Sequence, residues 1–445
     1  MSVEMRAGLS ASVLLAVTCA GSPAWAVPSY SRQTGEPCTS CHYGGYGPAL
    51  TPHGREFKLG GYADGKAIIP LSVTASASFT HTAKDQSEDA SEHDGRNDNF
   101  ALNEVVGWIA GRILPHLGSF VAIEYSEPER HAELDHFNVT YALPLRIGGK
   151  DAILGITANN APGSTDPFQS FSEMAFPHDS AELVPERIGV PLLTDGLGGQ
   201  VGGLNGYLWL DDSVYAEIGG YRSLDHRLLD TIGVEDEAGK IAGVATYGRL
   251  AYQKDFGKQV ASVGLVGMRV ALHPERDPGP TNKYTDWGLD ATYQYLGNRK
   301  NIVAANITYL HENQQRDFDV EQGVTARRDH RLSSVRANVS YYRDNTYGVT
   351  GALFDSWGTR DTDLFEPEED GGSRTGKPNT SGFILQADWT PFGKESSPLS
   401  PWLNLRLGLQ YTGYFKFNGA QRDYDGFGRD ASDNNTIYAF ANVAL

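Results

Sequence analysis

The chain has 445 residues, a formal net charge of −18, 51 glycines, 22 tyrosines and only 4 methionines. Glycine stands well above its usual share of ~7%, which favours short strands and turns over long helices. Beyond the first 26 residues no apolar run approaches the ~18 residues of a transmembrane helix, so a helical membrane protein is excluded. The acidic balance (Lys+Arg 37, Asp+Glu 55) repels phosphate and speaks against a nucleic-acid partner.

Residues 1–26 read as a secretory signal peptide: Arg6, the apolar stretch Leu9 to Ala20, then the small-x-small pattern Ala24-Trp25-Ala26. Of the 3 cysteines, Cys19 falls inside that signal, and bulky Val17 and Thr18 before it disfavour a lipidation site. The remaining two stand together as Cys38-Thr39-Ser40-Cys41-His42. This is the attachment pattern of a c-type haem. One helical turn presents both thiols for thioether bonds to the haem vinyl groups, and His42 follows as the proximal iron ligand. A thioredoxin-like pair needs a βαβ context and no histidine; a zinc site needs two further Cys/His ligands nearby. One motif predicts one covalently bound haem c.

After the motif, a short helix fits between Pro52 and Gly60. The segment 27–69 is close to the ~40 residues below which a chain needs metals, crosslinks or partners to fold. Its haem therefore needs walls from elsewhere.

Residue 70 onward supplies them. Leu71, Val73, Ala75, Ala77 and Phe79 alternate with Ser72, Thr74, Ser76, Ser78 and Thr80. The same period of two recurs over Phe137–Leu143, Thr285–Tyr295, Val335–Tyr341 and Leu403–Tyr411, and ends the chain as Ile437, Ala439, Ala441, Val443 and Leu445. Tight turns at Asp211-Asp212, Gly297-Asn298 and Asp344-Asn345 contrast with long polar connections at Lys84–Asp98, Arg360–Thr380 and Asn418–Asn435. That asymmetry, with strands toward ~10 residues, is the signature of an outer-membrane barrel rather than a soluble sandwich of ~5–6-residue strands. Trp108, Trp209, Trp287, Trp389, Trp402 and Tyr411 are expected to form its aromatic girdles. The predicted fold is all-β: an antiparallel outer-membrane barrel of about 16 strands over 70–445, with residues 27–69 as a haem plug in its lumen, in a Gram-negative outer membrane.

The stretch from Val27 to Gly35, the haem motif, and Leu50 through Tyr62 together resemble the N-terminus of the fused outer-membrane cytochrome-porins, whose best-known members oxidise extracellular ferrous iron. Gly155–Pro162, Phe176-Pro177 and Gly199–Tyr207 resemble the barrel portion of that family. This sequence departs from the family in a longer, glycine-richer Tyr43–Ala49, in His53 where an aromatic residue is expected, and in Met174 where Trp is expected. The resemblance implies electron uptake at the cell surface from a donor such as Fe²⁺, with Fe(II) oxidase activity. A periplasmic carrier, a soluble cytochrome or a copper protein, would take the electron away.

For the sixth iron ligand the sequence offers His53, Met174, Met268 or Lys58, or no protein ligand. Arg55 and Lys58 are alternatively placed to neutralise haem propionates. Acidic clusters at Glu88–Asp94 and Asp361–Asp370 suit hard cations, yet such loops are more often only solvated. A porin-like solute channel with a haem-containing plug is the competing function.

Overall fold

A computed structural model describes residues 27–445 apart from 127, 129, 172, 173, 195 and 395. The predicted signal peptide, residues 1–26, lies outside the described residues. Three short helices come first: α1 (Pro28–Thr34), α2 (Cys38–Cys41) and α3 (Pro52–Leu59). Proline in the first turn starts α1 and α3, and the Thr51 hydroxyl caps α3 by accepting from the Gly54 N–H.

The strands follow: β1 (Leu71–Thr82), β2 (Asn99–Leu114), β3 (Leu117–Ser126), β4 (His131–Ile147), β5 (Lys150–Asn159), β6 (Val201–Leu210) and β7 (Val214–Ser223). After α4 (His226–Ile232) come β8 (Lys240–Ile241), β9 (Ala245–Asp255), β10 (Gln259–His273), β11 (Asn282–Tyr295) and β12 (Asn301–Arg316). Helix α5 (Asp317–Gln322) precedes β13 (Asp329–Arg343), β14 (Tyr347–Gly358), β15 (Thr380–Trp389), β16 (Asn404–Lys416) and β17 (Thr436–Ala444). The two-residue β8 pairs with β10 at its rim, while β7 pairs directly with β9. Of the 17 strands in the sheet, sixteen long ones therefore close the wall. β17 returns to β1 in antiparallel register from Thr74–Ala444 to Thr82–Thr436, which abolishes the sheet edge.

The period-two pattern is inverted relative to a soluble sandwich. On β11 the apolar face looks outward, with Trp287 40% and Leu289 50% exposed, while Asp286 (2%) and Asp290 (6%) are buried inside. β1 repeats this: Leu71 and Val73 are exposed, Ser72, Thr74 and Ser76 buried. An apolar outer belt over a polar lumen is what a lipid-facing barrel requires. Trp287, Trp389, Trp402 and Tyr411 stand on the outer surface as expected. Trp108 and Trp209 do not. Both are buried on the lumen side, Trp108 against Phe120 and Trp209 with Phe168 and Tyr215, because plug and lumen loop give a large inward ring something to pack against.

Tight connections collect at one rim, including Asp211-Asp212 and Asp344-Asn345, both with positive φ as two-residue hairpins demand. The long connections collect at the other. In outer-membrane barrels the short turns are periplasmic and the long loops extracellular. Residues 27–69 fill the lumen at the short-turn rim: Arg299 donates to the Thr39 carbonyl, Gly44 N–H to Asn345, and Asn404 to the Gly45 carbonyl. From the opposite rim the β5–β6 connection, residues 160–200, folds inward. Its Asp166, Phe168, Phe171, Asp179, Leu193 and Leu197 are all buried.

Candidate haem site at the plug

The haem motif forms the single turn α2, its end marked by the His42 N–H donating to the Cys38 carbonyl at 2.9 Å. Helix α3 crosses it so closely that a Cβ at Gly54 would lie 2.3 Å from the Cys41 carbonyl oxygen; only glycine permits that approach. Cys38, Cys41 and His42 line one cavity together. Tyr30, Phe57 and Tyr62 of the plug and Phe120 of β3 give it an aromatic lining. The rings support one another: Tyr30 and Tyr62 stack at 5.2 Å and Phe57 meets Tyr30 edge-on at 5.0 Å.

His42 Nδ1 lies 3.2 Å from the Pro48 carbonyl. With its N–H donated there, Nε2 keeps the lone pair, the arrangement in which histidine ligates metals. Burial lowers the His42 pKa to about 4, so the imidazole is neutral at pH 7. Both thiols are free and in the cavity lining; burial, with Glu36 nearby, pushes Cys41 up to about 12. Two thiols, a neutral imidazole and an aromatic-walled cavity fit a covalently bound haem.

The remaining candidates separate. Met174, from the inward loop, and Lys58 line the cavity, and Lys58 Nζ also donates to the Asp166 carbonyl at 3.1 Å. His53 is outside that lining; its ring is exposed, with Nε2 2.8 Å from the Glu36 carboxylate. Arg55 also faces elsewhere. It is buried between α3 and the wall, donates to Gln253 and lies over the Phe168 ring at 4.8 Å, and burial lowers its pKa to about 10. Met268 is buried in the wall cluster around Leu193 and Tyr247. On α3 the cavity-facing arc is taken by Gly54, Phe57 and Lys58, and His53 lies off that arc.

Glu36, Cys41 and His53 hold ligand atoms within 4.8 Å of one another, the start of a rival metal site that would leave Cys38 and His42 unused. Sequence reasoning named Met174 but missed the inward loop that carries it and adds Ser164 and Gln169 to the cavity. Its aromatic pair Phe168 and Phe171, within a connection of more than 40 residues between strands, was the available signal.

No family model matches the chain, and no curated protein does. Among solved structures, an anion-selective porin from Comamonas acidovorans is 12% identical with a TM-score of 0.42, covering 84% of this chain and 98% of that one. The outer-membrane channel DcaP of Acinetobacter baumannii is 11% identical with a TM-score of 0.44, at 84% and 96% coverage. A loop-deletion mutant of Vibrio cholerae OmpT is 8% identical with a TM-score of 0.42, at 84% and 98% coverage. Scores this low support no argument about activity, and the barrel stands on its own strand pairing. Closure and outward apolar belt define the class: a porin-like, sixteen-strand β-barrel of a Gram-negative outer membrane.

Proposed function

We propose that the protein is an outer-membrane monohaem cytochrome that passes electrons from an extracellular reductant, Fe²⁺, to a periplasmic carrier. The observation that carries this reading is the convergence of Cys38, Cys41 and His42 on one aromatic-walled cavity at the periplasmic rim. Bound there, haem c supplies a one-electron Fe(III)/Fe(II) couple. Cys38 and Cys41 would anchor it, His42, its ring held by the Pro48 carbonyl, would ligate through Nε2, and Met174 or Lys58 would be available as a further ligand. Tyr30, Phe57, Tyr62 and Phe120 exclude water, which sets the potential together with the ligands. No residue is required to move a proton.

The test is stopped-flow reduction of the detergent-solubilised, haem-loaded protein by Fe²⁺, monitored in the haem absorption bands. Reduction is expected, followed by reoxidation with a small soluble cytochrome or copper protein. A haem that stays oxidised under excess Fe²⁺ would overturn the iron reading.

A solute channel is favoured by the wall itself, since sixteen strands enclose a lumen wide enough for water. The inward loop and plug occupy that lumen. Planar-bilayer recordings separate the two: open-channel conductance in the intact, haem-loaded protein supports the channel, its absence the relay.

A further inference from the structure

Buried carboxylates are common in this lumen, and nearly all have donors. Asp290 and Asp166 pair with Arg249, Asp388 and Asp179 with Arg406, and Glu217 accepts from Thr165, Asn205 and Tyr215. Glu104 on β2 is different. It is 1% exposed, and among the described residues no N–H or hydroxyl donor reaches either of its carboxylate oxygens. Its hydrogen-bonding neighbour is another acid, Glu124 on β3, one oxygen of which is itself buried without a donor. Asp135 of β4 and Glu182 of the inward loop add their charge to both.

The wall is bent to make this cluster. β1–β2 pairing shifts register between Ser76 and Ser78, and β3–β4 pairing shifts between Ala122 and Glu124. The first shift turns two consecutive residues, Asn103 and Glu104, inward. Bulges that re-aim side chains are typical beside functional sites. Asn103 is then satisfied by Ser78 and Tyr438; Glu104 is not. Glu124 stands four residues along β3 from Phe120, which lines the haem cavity, or roughly 13 Å toward the extracellular rim.

We infer that Glu104 and Glu124, with Asp135 and Glu182 close by, form a divalent-cation site between the extracellular loops and the haem cavity, and that this site holds the electron-donating Fe²⁺. Two adjoining buried carboxylates must take up either a proton or a cation, and hard carboxylate oxygens select Fe²⁺ or Mn²⁺. Each Fe²⁺ held there gives up one electron and becomes Fe³⁺; the electron passes to the ferric haem and on to the oxidised periplasmic carrier. The assignment of Fe²⁺ as occupant rests on the relay reading above, whereas the cation site rests on Glu104 alone.

Mn²⁺, which is not oxidised under these conditions, is the probe. Titrating the full-length holoprotein in detergent with Mn²⁺, followed by electron paramagnetic resonance, is expected to show one tight site. Glu104→Gln and Glu124→Gln should each weaken it at least tenfold and slow haem reduction at low Fe²⁺. Neutralising the exposed loop acids Asp363 and Glu366 should leave both unchanged. The barrel's resistance to denaturation in unheated gels verifies folding of each variant. If the wild type binds no Mn²⁺, or if both glutamine variants bind it as the wild type does, the site is refuted, and the pair simply shares a proton. If Mn²⁺ binding is lost as expected but Fe²⁺ never reduces the wild-type haem, the relay reading fails and the cation site survives.

Discussion

The two segments that fill the lumen are held by different physics. The plug, entering from the short-turn rim, is pinned by single hydrogen bonds and, among the described residues, by no buried ion pair to the wall: Ser29 donates to the Ala110 carbonyl at 2.6 Å, Tyr30 to the Ser119 carbonyl at 2.7 Å, and the Tyr207 hydroxyl to the Leu59 carbonyl at 2.6 Å. The inward loop, entering from the other rim, is locked by buried charge: Asp166 and Asp290 on either side of Arg249 at 3.2 and 2.6 Å, and Asp179 and Asp388 around Arg406 at 3.0 and 2.9 Å. Backbone N–H groups of Leu192 and Leu193 donate to Glu312 and Asp286 as well. A neutral hydrogen bond contributes about 0.5–1.5 kcal/mol. Breaking a buried ion pair by removing one partner costs about 3–5 kcal/mol. The difference teaches that the loop is a fixed part of the wall, whereas the plug depends on what its cavity holds.

The largest expected effect follows at the plug. Cys38→Ala removes an anchor from a segment without a core of its own, and covalently attached haem should be lost from denaturing gels stained for haem. Limited proteolysis should then cut within residues 27–69 while the barrel wall stays intact. A plug that resists protease equally with and without the thioether would erase the contrast with the loop.

At the loop, Arg249→Ala leaves Asp166 and Asp290 buried without their shared cation and should lower stability by about 3–5 kcal/mol. The midpoint of heat-induced unfolding, read by the gel-mobility shift of the barrel, reports it. Release of the loop should also give bilayer conductance that the wild type lacks. Unchanged melting and conductance would show that the charge lock is not what holds the loop.

A smaller effect distinguishes the cavity from its surface. Met174→Leu should alter the haem absorption spectrum and lower the reduction potential, because a thioether ligand favours the ferrous state. His53→Ala, outside the cavity lining, should change neither. The reverse result would move the sixth ligand to α3.

How much of this was legible in the sequence follows from the range of the signal. Strand alternation is local, so Thr285–Tyr295 and Leu403–Tyr411 disclosed their two faces, and chain length set the strand number. The motif Cys38-Thr39-Ser40-Cys41-His42 is local too, and the structure brings its two cysteines and its histidine to one cavity. Which residue of α3 faces the cavity was not legible, because it depends on the angle at which Gly54 lets the helix cross Cys41. Nor could alternation tell that Trp108 and Trp209 face inward. The parity of a strand identifies two faces without saying which is wet, and a lumen packed with plug and loop accepts aromatic rings that an open channel would not. The Glu104–Glu124 pair was hidden for a related reason: a bulge shifts the phase, and a bulge is made by two strands together.

The smallest effect concerns the extracellular rim. Burial alone would raise the pKa of Asp361, in the β14–β15 connection, but hydrogen bonds from Thr325, the Leu364 and Asp363 N–H groups and His330 outweigh it and hold the carboxyl down at about 2. A carboxyl unfolded near ~3.9 and folded near 2 contributes stability that is fully present above pH 4 and is lost as pH falls toward 2. The wild-type loop should therefore stay protease-resistant down to about pH 4 and loosen below it. Asp361→Asn removes the titrating group, so cleavage within residues 359–379 should be raised at neutral pH and should no longer change between pH 4 and pH 2. Cleavage of the inward loop, whose carboxylates Asp166 and Asp179 pair with Arg249 and Arg406 instead, should not respond to Asp361→Asn at any pH; a response in both loops would mean that the two open as one unit.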